Sequence, residues 1–153
     1  MNTYRGRAIA SLIGLLLLGP ATSASAVDVT GLTHLDGSEV AASELPDSAI
    51  VIFFATWSPK CRGIVAQVNE IEREWSATAP VYLVNFQEDR AAVEKFLDGK
   101  STKVKVLLDR RAVFSKAHSI TSLPGLLAIK SGTPAFRGKL SADAGPVLRS
   151  VYE

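Results

Sequence analysis

The chain has 153 residues, 47% of them hydrophobic, with 17 lysines and arginines against 15 aspartates and glutamates. Arg5 and Arg7 account for that whole excess, so the remainder is electrically balanced and no basic block marks a surface for nucleic acid or an anionic membrane. Cys61 is the only cysteine, which excludes an internal disulfide.

Arg5 and Arg7 precede an apolar run from Ala8 to Leu18 that stops at Gly19-Pro20 and leads to Ala24-Ser25-Ala26. A basic start, a short apolar run and an A-x-A site make a signal peptide, predicted to be cut between Ala26 and Val27. The run falls short of the roughly 20 residues that span a bilayer, and no cysteine near the site offers a point for lipid attachment. A retained anchor is the alternative. Residues 1–26 are therefore read as a signal peptide and 27–153 as one domain, periplasmic or secreted, with no stable membrane insertion after cleavage.

In chain order, Leu32 to Leu35 and Val40-Ala41 flank Asp36-Gly37, which predicts a short hairpin. The unalternating apolar run Ala49 to Ala55 predicts a central strand covered on both faces. Ile64, Val68, Ile71 and Trp75 then recur at helical spacing, with Glu70, Glu72 and Glu74 on the wet face. Ser58 suits an N-cap and Pro59 a first helical position, so this helix is expected to open there. Pro80 ends it, and Val81 to Phe86 reads as a second buried strand, parallel to the first through a right-handed crossover.

A helix from about Asp89 to Asp98 closes at Gly99, Val104 to Leu108 predicts a strand, and Ala112 to His118 a short helix. Gly125 to Ile129 and Ala135 to Gly138 form a hairpin about Ser131-Gly132, and a last helix carries Val147, Leu148 and Val151. The fold class is α/β, a central mixed sheet flanked by helices.

The segment from Phe53 to Arg62, with Ala55-Thr56-Trp57 and then Ser58-Pro59-Lys60-Cys61, sits where a buried strand turns into a helix. It resembles the active-site segment of thioredoxins, and more narrowly that of the bacterial envelope branch typified by the TlpA and ResA proteins, where Cys-x-x-Cys stands in this place. The Leu35-Asp36-Gly37 hairpin before it, and Leu123-Pro124 at the position of the family's cis-proline, extend the resemblance over residues 32–152. It implies a thioredoxin-like fold with a docking surface at Trp57, Pro59, Lys60, Leu123 and Pro124. Ser58 stands where the family has its attacking cysteine, and Cys61 where it has the resolving one.

Disulfide exchange needs both sulfurs: a thiolate attacks, and a neighbouring thiol displaces the mixed disulfide. A helix start stabilises the first thiolate, but Ser58 cannot replace it, because an alcohol needs an adjacent general base. Cys61 has three readings: a structural thiol, a single thiol for slow exchange, or a metal ligand. Two further departures lie at Ile52, where thioredoxins often carry a proton-transferring acid or amide, and at Gly125, where threonine often follows the cis-proline. His34 and His118 lack metal-ligand spacing and are expected at the surface, so no metal or cofactor is expected.

The resemblance thus implies a protein of envelope thiol and disulfide traffic that binds partners, namely envelope protein thiols or extended peptide segments, or forms at most a single-thiol mixed disulfide through Cys61. A redox-inactive adaptor or chaperone-like module, and an oxidoreductase using an external thiol, are the alternatives.

Overall fold

Six apolar residues in a row need cover on both faces. In the computed structural model, which describes residues 27–153, Ala49–Phe54 is a strand buried along its whole length. It is the second of six: β1 Thr33–His34, β2 Ala49–Phe54, β3 Val81–Phe86, β4 Lys105–Asp109, β5 Gly125–Lys130 and β6 Thr133–Lys139. The sheet order is β1-β4-β3-β2-β5-β6, with β2, β3 and β4 parallel and the other pairings antiparallel. The expected signal peptide and its cleavage site lie outside the described residues.

Alternation decides which side each β2 residue serves. Ile50, Ile52 and Phe54 join one core cluster, with Ile64, Val68, Ile71 and Trp75 of α1 (Ile64–Trp75), Val93 of α2 (Arg90–Leu97), and Leu148 and Val151 of α4 (Gly145–Tyr152). Ala49, Val51 and Phe53 join the other, with Phe114 of α3 (Val113–Ala117) and the N-terminal residues Val27, Val29, Leu32, Val40 and Leu45. Each fully buried side chain of this size contributes roughly 1.5–3 kcal/mol, which makes β2 the anchor of both layers.

Polar groups tie the periphery to this frame. The Glu44 carboxylate accepts from Lys105 Nζ (2.9 Å), the Ala41 N–H (3.0 Å) and His34 Nε2 (3.1 Å), and these bonds hold its pKa down to about 2. The Tyr152 hydroxyl donates to the carbonyls of Ala49 (2.8 Å) and Ile129 (2.9 Å); burial pushes it up to about 12. The wholly buried Asp109 carboxylate accepts from the N–H groups of Phe114 and Ser115 and from Ser115 Oγ, which accounts for it as the support of α3.

Three expectations need correction. The helix does not open at Ser58: Pro59–Cys61 forms a single 3-10 turn, and α1 begins only at Ile64, with Gly63 at its N-cap. Glycine disfavours a helix interior by about 1 kcal/mol relative to alanine, and Gly63 interrupts what would otherwise be one helix. The N-terminal hairpin exists as a tight turn about Gly37, but the main partner of Thr33–His34 is Leu107–Leu108 of β4. The two histidines are partly buried, as described below, and not fully exposed.

Candidate functional site

A groove of about 460 Å³ opens at the carboxyl end of β2, where the chain leaves the sheet. Trp57, Ser58, Pro59 and Lys60 form one wall; Ile120, Thr121, Ser122 and Leu123 form the other, and Phe86 from the end of β3 completes the lining. These walls come from segments far apart in sequence and meet because β2 lies between β3 and β5. Trp57 is 64% exposed, the one large apolar side chain so exposed among the described residues.

Four of the five expected docking residues, Trp57, Pro59, Lys60 and Leu123, line this groove. Pro124 does not. It is buried one residue beyond the rim, its carbonyl accepts the Leu140 N–H at 3.0 Å, and the Leu123–Pro124 peptide is cis. Phe86, Ile120, Thr121 and Ser122 were not singled out in the sequence. Each is a loop or strand-end residue whose relevance depends on sheet order.

Ser58 and Cys61 part company here. Ser58 is only 7% exposed yet lines the groove; its carbonyl accepts the Cys61 N–H at 2.9 Å, and its side chain makes no capping bond. It occupies the N-cap position of the 3-10 turn without doing a cap's work, because the turn is closed by backbone alone. Its hydroxyl has no hydrogen-bond partner among the described residues. Cys61 is 0% exposed and packs in the core cluster with Ile52, Phe54 and Ile64. A thiol so enclosed behaves as a small apolar side chain.

Ile52, in the strand beneath, is equally enclosed, so no proton-carrying group stands at that position. Gly125 has a geometric reason: a Cβ there would come within 2.7 Å of the Ser122 carbonyl oxygen and 3.1 Å of Ile120 Cγ2. The loop that walls the groove folds back onto that backbone, and a threonine would push it away.

The sequence reading also passed over Glu88. Its carboxylate accepts from the Thr56 N–H (2.7 Å), from Thr56 Oγ1 and from Asn85 Nδ2 (2.7 Å), just behind the groove. The available signal was an asparagine next to the last residue of an apolar strand, with a glutamate three residues on.

His34, on the edge strand β1, is bound to Glu44. The His118 ring packs against Phe114 at a tilt of 58°, with centroids 4.5 Å apart, and its Nε2 is buried with no partner among the described residues. Burial first, and the Arg137 charge second, hold its pKa below the usual histidine value, while Asp28 opposes them. Among the described residues no three histidines, cysteines, aspartates or glutamates gather as a metal site would need, and no helix is long and apolar enough to cross a membrane. A larger groove, about 700 Å³, runs along the N-terminal segment beside Arg110 and Arg111 and contains no part of the Ser58 segment.

The Redoxin family profile matches residues 20–135. No curated protein matches the chain in sequence. Among solved structures, the secreted Mycobacterium tuberculosis disulfide oxidoreductase homologous to Escherichia coli DsbE is similar at TM-score 0.58 and 15% identity, covering 72% of this chain and 87% of its own. StoA from Bacillus subtilis is similar at TM-score 0.61 and 16% identity, covering 82% and 100%. The exposed lipoprotein thioredoxin Etrx1 of Streptococcus pneumoniae is similar at TM-score 0.65 and 20% identity, covering 78% and 95%. At these identities the likeness establishes the thioredoxin-like fold.

Proposed function

The chain belongs to the redoxin family, and from that premise we propose that it is an exported thioredoxin-fold protein of envelope thiol and disulfide traffic that docks extended partner segments in the Trp57–Leu123 groove and runs no dithiol cycle of its own. One observation carries this reading: Ser58 lines the groove while Cys61, three residues on, is wholly buried. A groove with apolar walls and unpartnered hydroxyls suits a peptide, which brings both side chains and backbone polar groups. A mixed disulfide through Cys61 would first require the 3-10 turn to open, so docking and not exchange is the resting function. Export rests on the Ala24-Ser25-Ala26 site, and the secreted and lipoprotein character of two similar structures is in keeping with it.

The test uses reduced and alkylated α-lactalbumin, an unfolded chain without free thiols, so that any binding is docking alone. Saturable binding is expected, weakened about thirtyfold or more by Trp57→Ala, since a tryptophan that anchors a docked segment carries about 2 kcal/mol or more. Absence of binding, or binding indifferent to Trp57→Ala, would refute the reading.

A further inference from the structure

The ladder between β2 and β3 ends at the pair Phe54 and Asn85. Beyond it β2 leaves the sheet as a loop, while Phe86 stays paired with Asp109 of β4, and rim residues on a loop such as the one after β2 are ordinarily mobile. Here one carboxylate continues the tie. Glu88 Oε2 accepts from the Thr56 N–H and from Asn85 Nδ2, both at 2.7 Å; Oε1 accepts from the Thr56 hydroxyl; and Asn85 Oδ1 accepts the Glu88 N–H at 3.2 Å. Thr56 and Glu88 are 32 residues apart, so the bond joins two strand ends and not one local turn. Nor is this carboxylate needed to start α2, because the Asp89 side chain does that by accepting the Ala92 N–H at 2.9 Å.

The residues next to the clamped ones are Trp57 after Thr56 and Phe86 after Asn85, and both line the groove. We propose that Glu88 is a positioning residue of the docking groove, its carboxylate tying the end of β2 to β3 so that Trp57 is held in the same groove as the strand-borne Phe86, the pair offering preformed aromatic walls to an apolar side chain of the docked segment. The proposal rests on the docking reading above for what the pair receives, and on the hydrogen bonds alone for how the pair is held. Fixing the walls beforehand spares a ligand the entropy of ordering them, which is how a residue behind a site raises affinity without touching its occupant.

The role is one of hydrogen bonding, so glutamine can fill it. An amide oxygen in place of Oε2 accepts from Thr56 N–H and Asn85, while the amide NH₂ in place of Oε1 donates to the Thr56 hydroxyl, which can accept as well as donate. Alanine cannot.

The experiment labels the full chain with 5-fluorotryptophan, giving two ¹⁹F signals for the two tryptophans, with that of Trp57 assigned by its loss in Trp57→Phe. In Glu88→Ala the Trp57 signal should move toward the position of a free, solvated residue while the Trp75 signal stays, and binding of alkylated α-lactalbumin should weaken about tenfold. Glu88→Gln should keep the Trp57 signal and bind within about twofold of the parent. An unmoved Trp57 signal in Glu88→Ala, equal effects of Gln and Ala, or movement of both tryptophans together would each overturn the proposal. If the parent fails to bind α-lactalbumin while the Trp57 signal still responds to Glu88→Ala alone, the docking reading falls and the positioning of Trp57 by Glu88 stands.

Discussion

Ser58 and Cys61 belong to one turn and share a 2.9 Å backbone hydrogen bond, yet they serve different parts of the molecule. Ser58 lines a groove with Trp57 and Lys60, whereas Cys61 lies among Ile52, Phe54 and Ile64 with no surface of its own. A turn of this kind sets one position in the groove and the other in the core, so the two can change independently. On the docking reading, a serine at the outer position leaves the groove wall standing without an attacking sulfur, and Cys61 is left with packing.

Restoring the outer sulfur should produce the largest change. With Ser58→Cys, thiol counting after oxidation should fall from one free thiol to none, and multiple-turnover disulfide reduction, absent in the parent, should appear. The rate should stay below that of an ordinary two-cysteine relative, because Ile52 offers no group to move the proton. A variant that folds normally but cannot close the disulfide would mean that positions 58 and 61 are not the pair they resemble.

A smaller effect is expected on the facing wall. Gly125→Thr drives a Cβ against the Ser122 carbonyl, which urea unfolding should register as a loss of about 1–3 kcal/mol. Binding of alkylated α-lactalbumin should weaken as the 120–122 loop shifts. Disulfide closure in a Ser58→Cys background should be unaffected, since the strain falls on the other side of the groove.

The smallest effect is one of pH. Burial keeps His118 below its ordinary pKa of 6.5 in the fold, so on acidification the unfolded chain takes up a proton that the folded chain resists. Stability should therefore decline as pH falls below 6.5 and level off once the folded value is passed. Asp28 and Arg137 are the charges that face this ring and set how far the window extends. Urea midpoints at pH 7.5 and 5.5 should differ less in His118→Phe than in the parent.

The elements legible in the sequence were those whose signal is local. Ala49–Phe54 announced a central strand because all six residues are apolar, and the spacing of Ile64, Val68, Ile71 and Trp75 announced the buried face of α1. Ser131-Gly132, both at positive φ, announced the β5–β6 turn. The start of α1 was misread because Ser58-Pro59 is a good start in isolation, while the break at Gly63 follows from a glycine's weak preference working against it. The pairing of Thr33–His34 with β4 depends on register with residues some seventy positions away. The site was half legible for the same reason. Trp57, Ser58, Pro59 and Lys60 are contiguous, but Phe86 and Ile120 join them only through sheet order, and Glu88 only through Thr56.

The separation of docking from thiol chemistry is tested most directly by titrating alkylated α-lactalbumin against Cys61→Ala beside the parent, with far-ultraviolet circular dichroism to verify the fold. The dissociation constant is expected to stay within about twofold of the parent, in reducing and oxidising buffer alike, because Cys61 contributes packing and nothing to the groove. Loss of binding in a correctly folded Cys61→Ala chain would contradict it and return the thiol to the centre of the protein's function.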